Sequence, residues 1–253
     1  TVGGQNSNNS VRVSDEFMRA VNEDADWVLK SRVKGGKDRV VKARDLWDQI
    51  AVAAWLSADP AVQFADTIND ANTAANDGEI VASNPCSEYL YRNDTACNLA
   101  SINLASADRD DVDIRELAYV MTIALDISIN MASYPSEKIA EMTYKHRTLG
   151  LGFTGLGEVL AINGIAYGCE DGLGLEWAQD FMQDIWLYAL HASEDLAEKL
   201  GPCDAYARNK DHIDRVYGEK ANRKIKPVRN MQLTNIAPTG TISFVMDAGS
   251  TGI

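Results

Sequence analysis

The chain has 253 residues, with 24 basic against 37 acidic side chains and a formal net charge of −13. That balance favours solubility and repels polyphosphate backbones, which sets nucleic-acid binding aside. No apolar run approaches the roughly 18 residues that span a bilayer, and no signal-like segment opens the chain, so a cytoplasmic protein with no membrane partner is expected.

The length suits one sizeable α/β domain or a piece of something larger. Thr1 opens the chain without an initiator Met, and Ser250-Thr-Gly-Ile253 ends it just past a small-residue turn, so an internal fragment is expected. Cys86, Cys97, Cys169 and Cys203 show no Cys-x-x-Cys spacing, and His146, His191 and His212 lie far from them, so no metal site is indicated.

After the polar stretch Gln5–Ser10, Val11-Arg-Val13 alternates like a short strand. Ser14 then caps a helix with Asp15 and Glu16 in its first turn and Phe17, Met18, Val21 and Ala25 on its apolar face. Val28 to Val41 predicts two strands around Lys34-Gly-Gly-Lys37, a hairpin. Ala43 to Ser57 predicts a helix with Leu46, Ile50, Ala53 and Ala54 inward, ending before Asp59-Pro60, and the next twenty or so residues are expected to be a connection.

Ser83-Asn-Pro-Cys-Ser-Glu-Tyr89 follows. Pro85 and the β-favouring Tyr-Leu-Tyr run predict an extended segment, in which Asn84, Cys86 and Glu88 project to one side about 7 Å apart. An amide, a thiol and a carboxylate on one face are chemically suggestive. A lone Cys is more often a small buried hydrophobe, and a lone Glu a solvated surface group. Cys97 lies beyond Asn93-Asp94, a turn-prone pair able to fold it back toward Cys86.

Asp113 caps a periodic helix carrying Leu117, Val120, Met121, Ala124 and Leu125, which stops near Tyr134-Pro135. Gly150, Gly152 and Gly155 match the dinucleotide fingerprint letter for letter, but Thr143–Thr148 is too polar for the buried strand that should precede it. The bland reading is a tight turn into a helix at 158–162. A long helix spans about 173–200, ended by Gly201-Pro202; Cys203 beyond it is expected to be inert, and Arg223, Lys224, Lys226 and Arg229 to form a solvated turn. Finally, Pro238 to Ser243 offers hydroxyls and backbone amides at a helix start, suited to phosphate, although the Gly-Lys-Ser/Thr ending of a Walker A loop is missing.

Four strings, in order, carry a family resemblance: Asn84-Pro-Cys-Ser-Glu-Tyr89, Ala96-Cys-Asn-Leu-Ala-Ser-Ile-Asn-Leu104, Arg147-Thr-Leu-Gly-Leu-Gly152 and Ala237-Pro-Thr-Gly-Thr-Ile-Ser243. Together they resemble the ribonucleotide reductase large-chain family, and the Ser-Glu-Tyr ending resembles its adenosylcobalamin-dependent branch. The resemblance implies that residues 1–253 are part of one catalytic domain, a ten-stranded α/β barrel with the active cysteine shielded on a central finger loop. Its N- and C-terminal portions would be missing.

It further implies that Cys86 carries a thiyl radical, Glu88 takes the 3′-hydroxyl proton and Asn84 binds the ribose. Cys97 would be one member of the redox pair, its partner lying outside this chain. Ser83, Pro85 and Ser87 would line the substrate, and Pro238, Thr239, Gly240, Thr241, Ile242 and Ser243 would hold its phosphates. The implied cofactor is adenosylcobalamin. The implied partners are a ribonucleotide, nucleotide effectors bound mostly by missing regions, a thioredoxin-type reductant and, as one option, a second copy in a homodimer. An iron-dependent reductase large subunit stands as the alternative within the family, and a nicotinamide-dependent oxidoreductase resting on the three glycines stands outside it.

Overall fold

A computed structural model describes residues 7–168 and 172–253, so Gln5, Asn6 and Cys169 lie outside the described residues. The chain divides into two compact units. One comprises the chain up to Ala71 together with Ser83–Ser87, the other Asn72–Ala82 with Glu88–Ile253.

The first unit opens with β1 (Ser10–Val13), followed by α1 (Asp15–Asn22), where the Ser14 hydroxyl accepts the Phe17 amide N–H as expected of an N-cap. The predicted hairpin is β2 (Asp26–Leu29) paired antiparallel with β3 (Arg39–Lys42), and the predicted helix is α2 (Ala43–Ser57). Phe17, Val13, Val21 and Ala43 form a small core, with Trp27 edge-on to Phe17 at 5.2 Å between ring centroids.

The expected connection after Pro60 is structured instead. It holds β4 (Ala61–Phe64), parallel to β1, then α3 (Ala65–Asp70) and, in the second unit, a 3₁₀ turn at Ala75–Asp77. Four-residue strands carry too little periodicity to stand out in a sequence, and this one is defined by pairing with β1.

In the second unit β5 (Asn98–Asn103) leads through α4 (Leu104–Arg109), α5 (Ile114–Met131) and α6 (Glu137–His146) to β6 (Leu149–Thr154), which pairs parallel with β5. Every residue of β6 is buried. On its other side residues 232–235 run parallel to it: the Leu149 and Leu151 amides donate to the carbonyls of Gln232 and Leu233, and the Asn235 amide donates to that of Leu151. A strand flanked on both edges and covered on both faces is the usual situation in a parallel sheet.

The glycines of the fingerprint-like string therefore sit inside a strand, with Gly155 (φ 81°) at the turn into α7 (Leu156–Ile162). The buried strand that a dinucleotide site requires ahead of them is absent, since 137–146 is helix. Both the nicotinamide reading and the simple-turn reading of Gly150 and Gly152 are corrected on this point.

α5 packs on α8 (Leu173–Leu200), with Ala118, Leu125 and Ile129 meeting a core that includes Ile185, Ala189 and Leu190. The inward face of α5 is rotated from the apolar count: Val120 and Ala124 are exposed, whereas Thr122 and Asp126 are buried. Asp126 is drawn inward by cations. It accepts from Arg147 Nε at 2.7 Å, Arg229 Nε at 3.1 Å and Asn230 Nδ2 at 2.9 Å. Arg229 is thus mostly buried, and Arg223 pairs with buried Glu194 at 2.8 Å, so the expected solvated turn holds for the exposed Lys224 and Lys226 and is corrected for the two arginines.

α9 (Tyr206–Ala221) and the short α10 (Gly240–Val245) complete the unit, and Cys203 is buried. The fold is mixed α/β. Among the described residues the strands form three two-stranded sheets and no closed sheet, and no helix is long and apolar enough to cross a membrane.

Candidate active site

The Cys86 segment is a turn, not an extended strand. Pro85 and Cys86 are its central residues, the Ser87 amide donates to the Asn84 carbonyl at 3.0 Å, and Ser87 takes φ 65°. Proline supplies the φ that the first central position of a turn needs, so the feature used to exclude helix favours the turn equally well. The alternation that aligned Asn84, Cys86 and Glu88 is lost at that point. Cys86 is exposed, contrary to the shielded thiol that the finger-loop reading implies.

Gln63 organises this turn, and it was invisible from the sequence because β4 was. It is buried on β4, and its Nε2 donates to Ser83 Oγ at 2.6 Å and to Ser87 Oγ at 3.0 Å. Its Oε1 accepts from Arg12 Nη2 at 2.7 Å. Ser10 Oγ lies 3.2 Å from Ser87 Oγ. The two serines expected to line a substrate are thereby tied to β1 and β4.

In the second unit Glu88 and Cys97 stand with Asn235. Cys97 precedes β5, after the predicted turn at Asn93-Asp94, where Asp94 has φ 61°. Asn235 Nδ2 lies 3.5 Å from Cys97 Sγ, while Asn235 Oδ1 and Glu88 Oε2 are buried without a hydrogen-bond partner. Burial, then the Glu88 carboxylate, push the Cys97 thiol up to about 12, against a smaller downward pull from the Asn235 amide. The Tyr89 hydroxyl is hydrogen-bonded to Thr95 Oγ1 at 2.7 Å and to Thr148 Oγ1 at 2.9 Å, which braces the segment from Glu88 to Cys97.

The 238–243 string splits into two kinds of hydroxyl. Thr239, at φ 58° before α10, is buried with Oγ1 3.0 Å from Thr154 Oγ1, and Ser243 Oγ donates to the Gly240 carbonyl at 2.8 Å. Pro238, Gly240, Thr241 and Ile242 are exposed. Only Thr241 presents a hydroxyl outward.

Within the second unit, a half-buried thiol beside a carboxylate with one unpaired buried oxygen is an arrangement suited to thiol redox chemistry. Over residues 1–253 the chain matches the family model "Ribonucleotide reductase, barrel domain", and it belongs to that family.

The chain is 39% identical, over its whole length, to the vitamin B12-dependent ribonucleotide reductase of Agrobacterium fabrum, of which it covers 24%. It is 38% identical, over 96% of its length, to the vitamin B12-dependent ribonucleoside-diphosphate reductase of Mycobacterium tuberculosis, of which it covers 33%. The chain thus spans about a quarter to a third of these curated relatives. Its fold is similar to that of the Actinobacillus ureae class Id ribonucleotide reductase alpha subunit, with TM-score 0.72 and 23% identity over 97% of this chain and 43% of that one.

Proposed function

We propose that the chain is part of a cobalamin-dependent ribonucleotide reductase that converts ribonucleotides to 2′-deoxyribonucleotides, acting in the cytoplasm. The observation that carries the reading is the pairing of Cys97 with a Glu88 carboxylate whose Oε2 is buried and unpaired, two residues from Cys86. A buried oxygen without a donor costs about 1–3 kcal/mol, and a substrate hydroxyl is a donor that would relieve it.

Cys86, as a thiyl radical, takes the ribose 3′ hydrogen, and Glu88 accepts the 3′-hydroxyl proton. Asn84 hydrogen-bonds the ribose. Loss of the 2′-hydroxyl as water consumes two electrons, which Cys97 and a second thiol outside this chain supply by closing to a disulfide. A thioredoxin-type dithiol then restores both thiols. Thr241 and the first-turn amides of α10 hold the phosphates, Thr239 and Ser243 shaping the turn from inside. Ser83, Pro85 and Ser87 line the substrate from the other loop.

The exposed position of Cys86 fits a thiol that must be reached from outside this chain. Adenosylcobalamin, when bound, would supply radical chemistry, and Cys86 is the residue that would give up its S–H hydrogen atom to it. Effector nucleotides and a second copy of the chain, as in a homodimer, complete the proposed partners. The ten-stranded barrel belongs to the same proposal, the remaining strands coming from outside these residues.

In the full chain, Cys86→Ser is expected to lower turnover on the order of a hundredfold or more while nucleotide affinity stays near wild type. Near-normal deoxynucleotide formation by the Ser variant sinks the assignment.

A further inference from the structure

The reductase reading leaves Asn235 and the two strand glycines without a role. Asn235 is 8% exposed, its Nδ2 faces Cys97 Sγ at 3.5 Å, and its Oδ1 has no partner. A carboxamide in that setting is costly, because a buried unpaired oxygen destabilises the fold.

The neighbouring strand makes room for it. A Cβ at Gly150 would fall 2.7 Å from Asn235 Nδ2 and 2.8 Å from its Cγ, and a Cβ at Gly152 would fall 2.3 Å from the Asn235 carbonyl oxygen. Gly150 and Gly152 are thus the residues that let Asn235 approach β6 and reach the thiol.

We propose that Asn235 is a positioning residue for Cys97, its carboxamide holding the sulfur and donating a hydrogen bond to it as negative charge develops there. The proposal rests on the reading of Cys97 as a redox cysteine. Among the described residues the titratable groups that act on Cys97 are Glu88 and Tyr89, and neither is a cation. The thiolate therefore depends on a neutral donor. Asn235 provides it, and the same amide can offer its oxygen to the thiol hydrogen before the proton leaves.

The test is Asn235→Leu in the full chain, with iodoacetamide alkylation of Cys97 followed at several pH values by peptide mass spectrometry. Leucine fills a similar volume and removes the unpaired oxygen, so the variant should fold at least as well as wild type. Cys97 alkylation below its titration midpoint should nevertheless slow about tenfold, since the thiolate is the reacting form. Cys86, exposed on the Asn84–Ser87 turn, should alkylate at its wild-type rate and serves as the reference. Gly150→Ala, which displaces the carboxamide, should slow Cys97 in the same direction.

Cys97 alkylation at the wild-type rate or faster in Asn235→Leu overturns the proposal. Turnover of Cys97→Ser is a separate measurement. Sustained turnover there would refute the redox role of Cys97, while the alkylation rates still decide whether Asn235 governs the thiol.

Discussion

The turn at Asn84–Ser87 and the strand β6 carry two of the four family strings, and they are built in opposite ways. The turn is exposed, and its hydroxyls are tethered by one glutamine from another strand. β6 is buried at every position, flanked by β5 on one edge and by residues 232–235 on the other, with Arg147 at its base locked onto Asp126. A thiol on the turn is open to partners. A thiol beside the strand is fixed by many neighbours and pushed toward its neutral form. The difference teaches that one scaffold can present a cysteine in two ways, one open to reagents and one in a controlled environment, and the roles proposed for Cys86 and Cys97 call for one of each.

The largest expected effect breaks the rigid side. Asp126→Ala leaves Arg147 buried without its carboxylate and should cost about 3–5 kcal/mol in urea denaturation. The same carboxyl gives a pH signature. Burial raises its pKa, but Arg147, Asn230 and Arg229 outweigh that and hold it below its usual value near 3.8. A depressed carboxylate contributes stability above the unfolded-state pKa and loses it as pH falls through the folded value, so acid unfolding below about pH 4 should be shallower in Asp126→Asn, relative to its own neutral-pH stability. Equal acid slopes in both proteins would remove Asp126 from the account.

Next comes Gly152→Ala, which drives a Cβ into backbone rather than into a flexible side chain and should cost about 1–3 kcal/mol. Wild-type denaturation would mean that 232–235 does not lie as close to β6 as described.

Thr239 and Thr241 sharpen the comparison within one turn. Thr241→Ala should raise KM about tenfold with little change in kcat or in melting temperature, because its hydroxyl is exposed and, in the proposed function, serves only the ligand. Thr239→Ala should show the converse, a lower melting temperature, since Thr239 is bonded to Thr154 inside the fold. Interchanged results would reverse the two assignments.

The smallest effect concerns the exposed side. Gln63→Ala removes the tether of Ser83 and Ser87 and should cost about 1 kcal/mol, seen most directly as faster proteolysis at 83–87. An unchanged cleavage rate would show that the turn holds itself.

What the sequence determined by itself were the features set by local chemistry. The capped starts at Ser14 and Asp113, the hairpin around Lys34–Lys37, the span of α2 and the end of α8 at Gly201 all depend on residues within a few positions of each other. The family strings were legible for the same reason, being contiguous. What only the tertiary structure decided were features set by distant partners. β4 exists through its pairing with β1, Asp126 turns inward because Arg147 and Arg229 meet it there, and Gln63 reaches two serines twenty and more residues away. Gly150 and Gly152 matched a cofactor fingerprint in letters and were read as a tight turn, because a string of letters does not show which backbone lies against it; their small size answers to Asn235, more than eighty residues later in the chain.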